Sequence, residues 1–214
     1  MQAFRVKISI MKKIKLPSNV EYIIHQLERA GYEAYAVGGC VRDSLLGRVP
    51  GDWDITTSAR PEQVKAVFRR TIDTGIQHGT VTVLMPAEQA DSSAAGEASG
   101  IQGDACRAAS QGAHAGRSAE QVGAKSAPVW EGYEVTTYRI DGAYLDGRHP
   151  SAVQFTPSLH EDLARRDFTI NAMAVNDRSG IVDDFGGLED LGRRVVRAVG
   201  EPEQRFQEDA LRML

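Results

Sequence analysis

Hydrophobic and polar positions in the first third of the chain predict alternating helices and strands. Between residues 17 and 30, aliphatic residues recur at helical spacing, and Ser18 with Glu21 has the spacing of a capping box at the start of that helix. The next predicted elements are strands over 34–37, 53–56 and 79–85, a short helix over 41–46, and a helix that begins at Pro61 with Val64, Val67 and Phe68 on its inner face.

A second patterned region begins at Val129. Residues 133–140, YEVTTYRI, alternate as a strand that should pair with the strand over 79–85. The elements expected further along are helices over 158–164, 188–191 and 203–214, a strand at 181–182, and a mixed strand and helix signal over 168–175. Strands that alternate with helices in this way predict an α/β or α+β fold with helices around a mixed sheet.

Residues 87–128 separate these two regions and differ from both in composition. They consist mostly of Ala, Gly, Ser, Gln and single charges, with almost no large hydrophobic side chain. Such a segment buries too little apolar surface to offset its conformational entropy, so we predict a disordered insertion in a hairpin loop. A helix through its Ala-rich parts is the alternative. The cost of closing a loop grows only logarithmically with its length, so the fold can carry the insertion.

Composition and the two ends of the chain limit the possible classes of protein. No apolar run reaches the roughly 18 residues that a membrane-spanning helix needs, and no continuous apolar stretch near the start forms a signal peptide. Cys40 and Cys106 have neither metal-ligand nor disulfide spacing, which fits the cytoplasm. A net charge of -4 disfavours a protein that coats nucleic acid but leaves room for a local basic patch. Residues 1–16 are predicted to be an N-terminal extension, and the end at Leu214, inside a predicted helix, suggests a fragment.

Two aspartates in the sequence GDWDI are the first candidate for chemistry. Asp52 and Asp54 would point to the same face of a strand, with their Cα atoms roughly 6.5 Å apart. A carboxylate pair of this kind can hold divalent cations for phosphoryl transfer, and Mg²⁺ prefers carboxylates that are completed by substrate phosphates. The motif is short, however, and a solvated strand end would have the same pattern.

A glycine pair precedes the aspartates in VGGCVRDSLLG, residues 37–47. Gly38 and Gly39 let the backbone approach a ligand, the following helix offers free N–H groups to an anion, and Arg42 can add bidentate contacts to phosphate. The segment is neither a Walker loop nor a dinucleotide-binding fingerprint. A tight turn with a helix-packing glycine is the structural alternative.

Glu134, in the strand expected to pair with 79–85, is a third candidate carboxylate. A neighbouring strand could bring it beside the aspartates as a metal ligand or as a base for an attacking hydroxyl. A solvent-facing strand residue is the alternative. His78 and Cys40 have no partners in the sequence that suggest a ligand or nucleophile, so we predict structural roles for both.

The ordered set of motifs resembles the class II tRNA nucleotidyltransferase and poly(A) polymerase family of the polymerase-β-like superfamily. GG-x-VRD-x-LLG followed by GDWD is similar to its opening motif, and TIDTGIQHGTVTV with YEVTTYR to its central hairpin. EDLARRDFTINAMAVN and IVDDFGGLEDL, followed by RAVGEPEQRFQEDALRML, are similar to its later motifs. The resemblance covers most of residues 30–214 outside the insertion. It implies a polymerase-β-like nucleotidyltransferase head with a mixed sheet, over 17–175, and the end of the head with the start of a helical neck, over 176–214.

The resemblance also implies roles for individual residues. The two aspartates would hold Mg²⁺, with Glu134 as the third acidic group. The glycine pair and Arg42 would contact the triphosphate of the incoming nucleotide. Further nucleotide contacts are expected from Arg166, Asp167 and Asn171, and from Asp209 and Arg212, which would read the edge of the base. Structural ion pairs are the alternative for the charged residues of the last group.

The activity implied is addition of CCA to the 3′ end of tRNA from CTP and ATP, with release of pyrophosphate. tRNA, ATP and CTP are thus the expected partners, and no membrane is expected. Two alternatives are also consistent with the motifs. One is poly(A) polymerase or a CC- or A-adding enzyme, which share the head motifs, although NAMAV after RRDFTI favours CCA addition. The other is a truncated head that binds nucleotide or RNA without turnover.

Overall fold

A computed structural model describes residues 14–87, 129–142 and 153–208 of the 214-residue chain. Residues 88–128 of the predicted insertion lie outside the described residues. The same holds for Asp209, Arg212 and the rest of the predicted helix after residue 208.

A seven-stranded mixed sheet in the order β3-β4-β5-β2-β1-β8-β9 forms the centre of the fold. Every neighbouring pair is antiparallel except β2 and β5, which run parallel, and β6 and β7 form a separate two-stranded sheet. The strands are β1 Ala34–Val37, β2 Asp54–Thr57, β3 Thr71–Gly75, β4 Thr80–Pro86, β5 Trp130–Thr137, β6 Arg139–Asp141, β7 Val153–Phe155, β8 Ala174–Asn176 and β9 Gly180–Val182. The mixed α/β architecture predicted from the sequence is confirmed, including the hairpin of β4 and β5.

The described ranges contain six α-helices. They are α1 Ser18–Arg29, α2 Gly39–Leu45, α3 Pro61–Val67, α4 Leu159–Ala164, α5 Gly187–Arg193 and α6 Pro202–Glu208. The predicted capping box at the start of α1 is wrong. Pro17 is the N-cap and no side chain caps the helix, because Ser18 is already its first helical residue.

Three other predictions need correction. The edge strand β3 was not predicted, because its sequence TIDTG is mostly polar and its side chains are largely exposed. The single strand predicted over 133–140 begins at Trp130 and is interrupted at Tyr138, whose N–H donates to the carbonyl of Thr57. The mixed signal over 168–175 corresponds to a 3₁₀ turn at Thr169–Asn171 followed by β8.

The two faces of the sheet are covered to different extents. On one face, aliphatic residues of α1 and α3 pack on the strands in a large core that includes Ile55, Val135 and Tyr133. On the other face, Leu163 of α4 packs with Val37 and neighbouring residues in a smaller core over β1 and β8. The part of this second face formed by β2 and β5 carries exposed side chains, and the predicted carboxylates lie there.

None of the helices in the described ranges has the combination of length and apolar character that crossing a bilayer requires.

Candidate active site

Three carboxylates lie on the open part of the second face. Ile55 of β2 is paired in register with Val135 of β5, and both are buried in the large core. Asp54 and Glu134 immediately precede this pair, so they are neighbours on adjacent strands and point to the opposite face. Asp52 lies just before β2, and Trp53, between the two aspartates, packs against the large core.

The surroundings of Asp54 disfavour the ionised form of its carboxyl group. Its pKa is raised above the ordinary value of 3.8, mainly because the group is partly withdrawn from water. The positive charge of Arg166 opposes this effect, and the negative charge of Asp52 adds to it. A site in which neighbouring carboxylates disfavour each other's charge is suited to binding a cation.

The carboxylates fit a metal that is completed by its substrate. Among residues 14–87, 129–142 and 153–208, no three acidic, histidine or cysteine side chains are close enough to form a ready metal cage. An open pair of aspartates at the start of β2 instead suits Mg²⁺, which keeps positions for water and phosphate oxygens.

Arg166 provides the positive charge that faces Asp54. It follows the C-terminal end of α4, and 19% of its side chain is exposed. Its Nη1 would lie 3.2 Å from a Cβ at Gly38, whose φ of +85° also disfavours any other residue. Its Nε is buried and has no hydrogen-bond partner within the part of the chain that the structure describes. This guanidinium therefore has unused hydrogen-bonding capacity beside the glycine turn.

Asp162 fixes the position of both arginines that follow α4. It is fully buried, and its Oδ1 lies 2.9 Å from Nη2 of Arg165 while its Oδ2 lies 3.4 Å from Nη2 of Arg166. The hydroxyl of Thr56 on β2 donates to the same Oδ2 over 3.0 Å. Burial alone would raise the pKa of Asp162, but the two arginine charges and the hydrogen bonds from Arg165 and Thr56 lower it. Asp162 is thus an ionised anchor between α4 and the sheet.

A hydrogen-bonded chain connects Arg42 with the 3₁₀ turn. Nη1 of Arg42 donates to Oδ1 of Asn171 over 2.7 Å, and Nδ2 of Asn171 donates to Oδ1 of Asp167 over 3.3 Å. Arg42 also forms a bidentate pair with Asp43, at 3.0 and 3.2 Å. These contacts bring α2, the 3₁₀ turn and the segment after α4 together at the end of β1.

Helix α5 packs against the 3₁₀ turn and fixes its position. A Cβ at Gly187 would lie 2.3 Å from the carbonyl oxygen of Thr169, so only glycine allows this close approach. The hydroxyl of Thr169 donates to Asp190 over 2.7 Å, and Arg197 closes the arrangement with an ion pair to Asp190 at 2.9 Å. The position of Asn171 therefore depends on packing from the GGLED segment.

Cys40 has the properties of a core residue. Its free thiol is buried, and Sγ donates to the carbonyl of Val37 over 3.3 Å. Burial raises its pKa from 9.0 to about 11, so the reactive thiolate is scarce at neutral pH. These properties favour the structural role expected from the sequence.

The structure brings most of the predicted site residues into one region. One group, next to the end of β1, contains Gly38, Gly39, Arg42, Arg166, Asp167 and Asn171; the other, on β2 and β5, contains Asp52, Asp54 and Glu134. Asp162 and Thr56 were not among the residues predicted from the sequence. Asp162 stands three and four residues before Arg165 and Arg166, which is ion-pair spacing on a helix and could have indicated the anchor.

The mixed sheet with its flanking helices has the fold of the head domains of RNA nucleotidyltransferases. The chain belongs to the family described as the poly A polymerase head domain, whose family model matches residues 34–95 and 102–197. Enzymes of this nucleotidyltransferase family generally depend on metal ions.

Relatives and solved structures agree with this assignment. The chain is 46% identical over 192 residues to a CCA-adding enzyme of Geobacillus stearothermophilus, covering 90% of this chain and 37% of that protein. It is 43% identical over 207 residues to a CCA-adding enzyme of Streptococcus uberis, covering 95% of this chain and 41% of that protein. A crystal structure of the Bacillus stearothermophilus CCA-adding enzyme in complex with CTP aligns with a TM-score of 0.64 at 42% identity, over 93% of this chain and 38% of the other. The chain therefore spans about two fifths of the length of these relatives.

Proposed function

We propose that this chain is the catalytic head of an RNA nucleotidyltransferase that adds CCA to the 3′ end of tRNA, using CTP and ATP and releasing pyrophosphate. One observation carries the proposal: the carboxylate of Asp54, with Glu134 as its neighbour on β5, lies near Arg166, which together with Arg42 flanks the glycine turn. Carboxylates that hold metal next to cations that hold phosphate are what nucleotidyl transfer requires. The similarity to CCA-adding enzymes, including one solved with CTP, supports CTP as a substrate.

In this proposal the two groups of residues have different roles. Arg42 and Arg166 bind and orient the triphosphate, and Gly38 leaves room for it. Asp52 and Asp54 hold Mg²⁺, which when bound neutralises developing charge on the phosphoryl oxygens. Glu134 lies on the far side of Asp54 from the arginines, where it can accept the proton of the attacking 3′-hydroxyl. Attack at the α-phosphate forms the new phosphodiester bond, and pyrophosphate leaves towards the arginines.

The choice of nucleotide is assigned to residues beyond the described range. Asp209 and Arg212 would offer an acceptor and a donor to the edge of C or A. Residues 176–214 would then be the end of the head and the start of a helical neck. Poly(A) polymerase activity is the second candidate, because it uses the same head. We place the activity in the cytoplasm, on the basis of cysteine usage and of tRNA as the substrate.

The proposal is tested by incorporation of labelled CTP and ATP, separately and together, into tRNA that lacks its 3′ CCA. Addition of two C residues and then one A would support CCA addition. Long A tails from ATP alone would move the chain to poly(A) polymerase. Binding of CTP without incorporation in any mixture would leave a nucleotide-binding head without turnover and would contradict the proposed activity.

Arg42→Lys is expected to raise the KM for CTP by about tenfold, because a lysine cannot keep the contact with Asn171 while also binding phosphate in a bidentate manner. Steady-state kinetics with CTP as the varied substrate measures this. Arg178→Lys is the control, since Arg178 lies in the β8–β9 turn with 63% of its side chain exposed. Equal KM values for wild type and Arg42→Lys would contradict a role for Arg42 in triphosphate binding.

A further inference from the structure

The nucleotide and the RNA are expected to approach the carboxylates from opposite sides. The arginines and the glycine turn lie on the β1 side of Asp54, whereas Glu134 lies on the β5 side. In phosphoryl transfer the attacking and leaving oxygens are roughly in line, on opposite sides of the phosphorus. If the triphosphate occupies the β1 side, the 3′ end of the RNA must arrive over β5 and the strands beyond it.

The surface beyond β5 is an open sheet face continuous with the carboxylates. Thr82 of β4 is paired with Glu134, and Ile72 of β3 is paired with Thr82, so all three lie on the same face. Ile72 is 49% exposed. The helices α1 and α3 pack on the opposite face with Tyr133 and Val135. This surface, which we name the β3–β5 face, is exposed at Ile72 and Glu134, whereas Thr82 between them is only 9% exposed.

An aromatic side chain and an arginine are stacked at the outer end of the β3–β5 face. Alternation along β5 puts Trp130 on the same face as Glu134, and the guanidinium carbon of Arg70 lies 4.1 Å from the centroid of the Trp130 ring. Gly132 lies between Trp130 and Glu134 on β5 and carries no side chain. A Cβ there would be 2.8 Å from Cγ2 of Thr82, so a larger residue would displace Thr82.

The charges of this region are compatible with a polyanion. Among the described residues, Arg70 has no carboxylate within ion-pairing distance, and its charge is available beside Trp130. Glu131 points to the opposite face, where it accepts a hydrogen bond of 3.0 Å from the hydroxyl of Tyr133. Trp130 is half-buried, with the guanidinium of Arg70 over its ring, and an aromatic ring beside an arginine is a recurrent platform for unpaired bases.

We propose that the unpaired 3′ nucleotides of the RNA substrate lie along the β3–β5 face, with one base stacked against Trp130 and a phosphate near Arg70. Trp130 and Glu134 are four residues apart, about 13 Å along the strand. Stacked nucleotides rise about 3.4 Å each, so the contacted base is within roughly four nucleotides of the reacting hydroxyl. This inference deepens the proposed function and rests on it for the identity of the RNA.

The test compares an RNA hairpin that carries a short unpaired 3′ tail with the same hairpin ending blunt. We expect Trp130→Ala and Arg70→Ala each to weaken binding of the tailed hairpin about tenfold, with little effect on the blunt one. Trp130→Phe should recover part of the loss, because it retains a ring for stacking. Arg178→Ala is the matched control, since it removes one exposed arginine at the opposite edge of the sheet.

CMP incorporation and CTP affinity, measured on the same samples, separate this inference from the proposed function. If wild type incorporates CMP while Trp130→Ala leaves both the KM for RNA and tail binding unchanged, the inference is wrong and the function stands. If tail binding depends on Trp130 but neither the wild type nor any variant incorporates CMP, the RNA-binding surface is supported and the proposed function is wrong. Loss of concentration-dependent self-association in Trp130→Ala, with RNA binding unchanged, would assign the face to a second copy of the chain and would overturn the inference. An unchanged CTP affinity in all variants excludes unfolding as the cause of weaker RNA binding.

Discussion

Asp54→Asn is expected to lower the rate of nucleotide addition by about a thousandfold or more without destabilising the fold. Lewis-acid stabilisation at such a site contributes several kcal/mol to the transition state, and a loss of about 4 kcal/mol corresponds to roughly three orders of magnitude in rate. Asparagine keeps the size of the side chain but removes the charge that Mg²⁺ requires. Single-turnover incorporation of CMP at saturating CTP measures the effect.

The same substitution should raise or leave unchanged the free energy of unfolding at neutral pH. The pKa of Asp54 is higher in the folded chain than its ordinary value of 3.8, so the folded state binds the proton more tightly. The resulting destabilisation is absent below pH 3.8 and is fully present above the raised folded pKa. Removing the charge should therefore make the stability of the variant less dependent on pH across that window.

Urea unfolding of wild type and Asp54→Asn at several pH values tests this second result. Asp184→Asn is a matched control, because Asp184 is an exposed aspartate whose ion-pair partner is the largely exposed His160. A marked decrease in the stability of Asp54→Asn at neutral pH would mean that Asp54 stabilises the fold. A normal rate in that variant would contradict its role in holding metal.

Asp162→Ala is expected to lower the free energy of unfolding by about 3–5 kcal/mol, the range typical when one partner of a buried ion pair is removed. The substitution leaves Arg165 and Arg166 without their common anion and removes the nearer of the two acceptors of the Thr56 hydroxyl, the other being the carbonyl of Thr136. Chemical unfolding at neutral pH gives the number. The exposed pair of Asp184 and His160 is the control, since Asp184→Ala should cost less than about 1 kcal/mol.

The stabilisation by Asp162 should also depend on pH. Its folded pKa is lowered below 3.8, so the stabilisation is complete above pH 3.8 and is lost as the pH falls through the folded pKa. The difference between wild type and Asp162→Asn should therefore shrink in that acid range. A constant difference at all pH values would show that the ionised carboxylate is not the source of the effect.

The sequence was sufficient for the helices and for the strands with clear alternation. Helix α1 and the hairpin of β4 and β5 have hydrophobic residues at the period of their own secondary structure, and both were found, although β5 begins three residues earlier than predicted. The edge strand β3 has no such pattern, because few of its side chains are buried. Its pairing with β4 comes from backbone hydrogen bonds, which do not depend on the identity of the side chains and so cannot be detected from their order.

The candidate site was predictable as a set of residues but not as an arrangement. Spacing alone put Asp52 and Asp54 on one face, whereas the position of Glu134 depends on the parallel pairing of β2 with β5, which joins distant segments. The anchoring of Arg166 by Asp162 and Thr56 likewise depends on how α4 packs on the sheet. Asp209 and Arg212 remain predictions from the sequence.

Binding of CTP to the 214-residue chain, measured by calorimetry with and without Mg²⁺, tests most directly whether the carboxylates and arginines form one metal–triphosphate site. We predict that Mg²⁺ increases the affinity of the wild type for CTP at least about tenfold, and that Asp54→Asn removes this increase while retaining the weaker metal-free binding. An affinity that is the same with and without Mg²⁺, or a metal effect that survives in Asp54→Asn, would contradict the account.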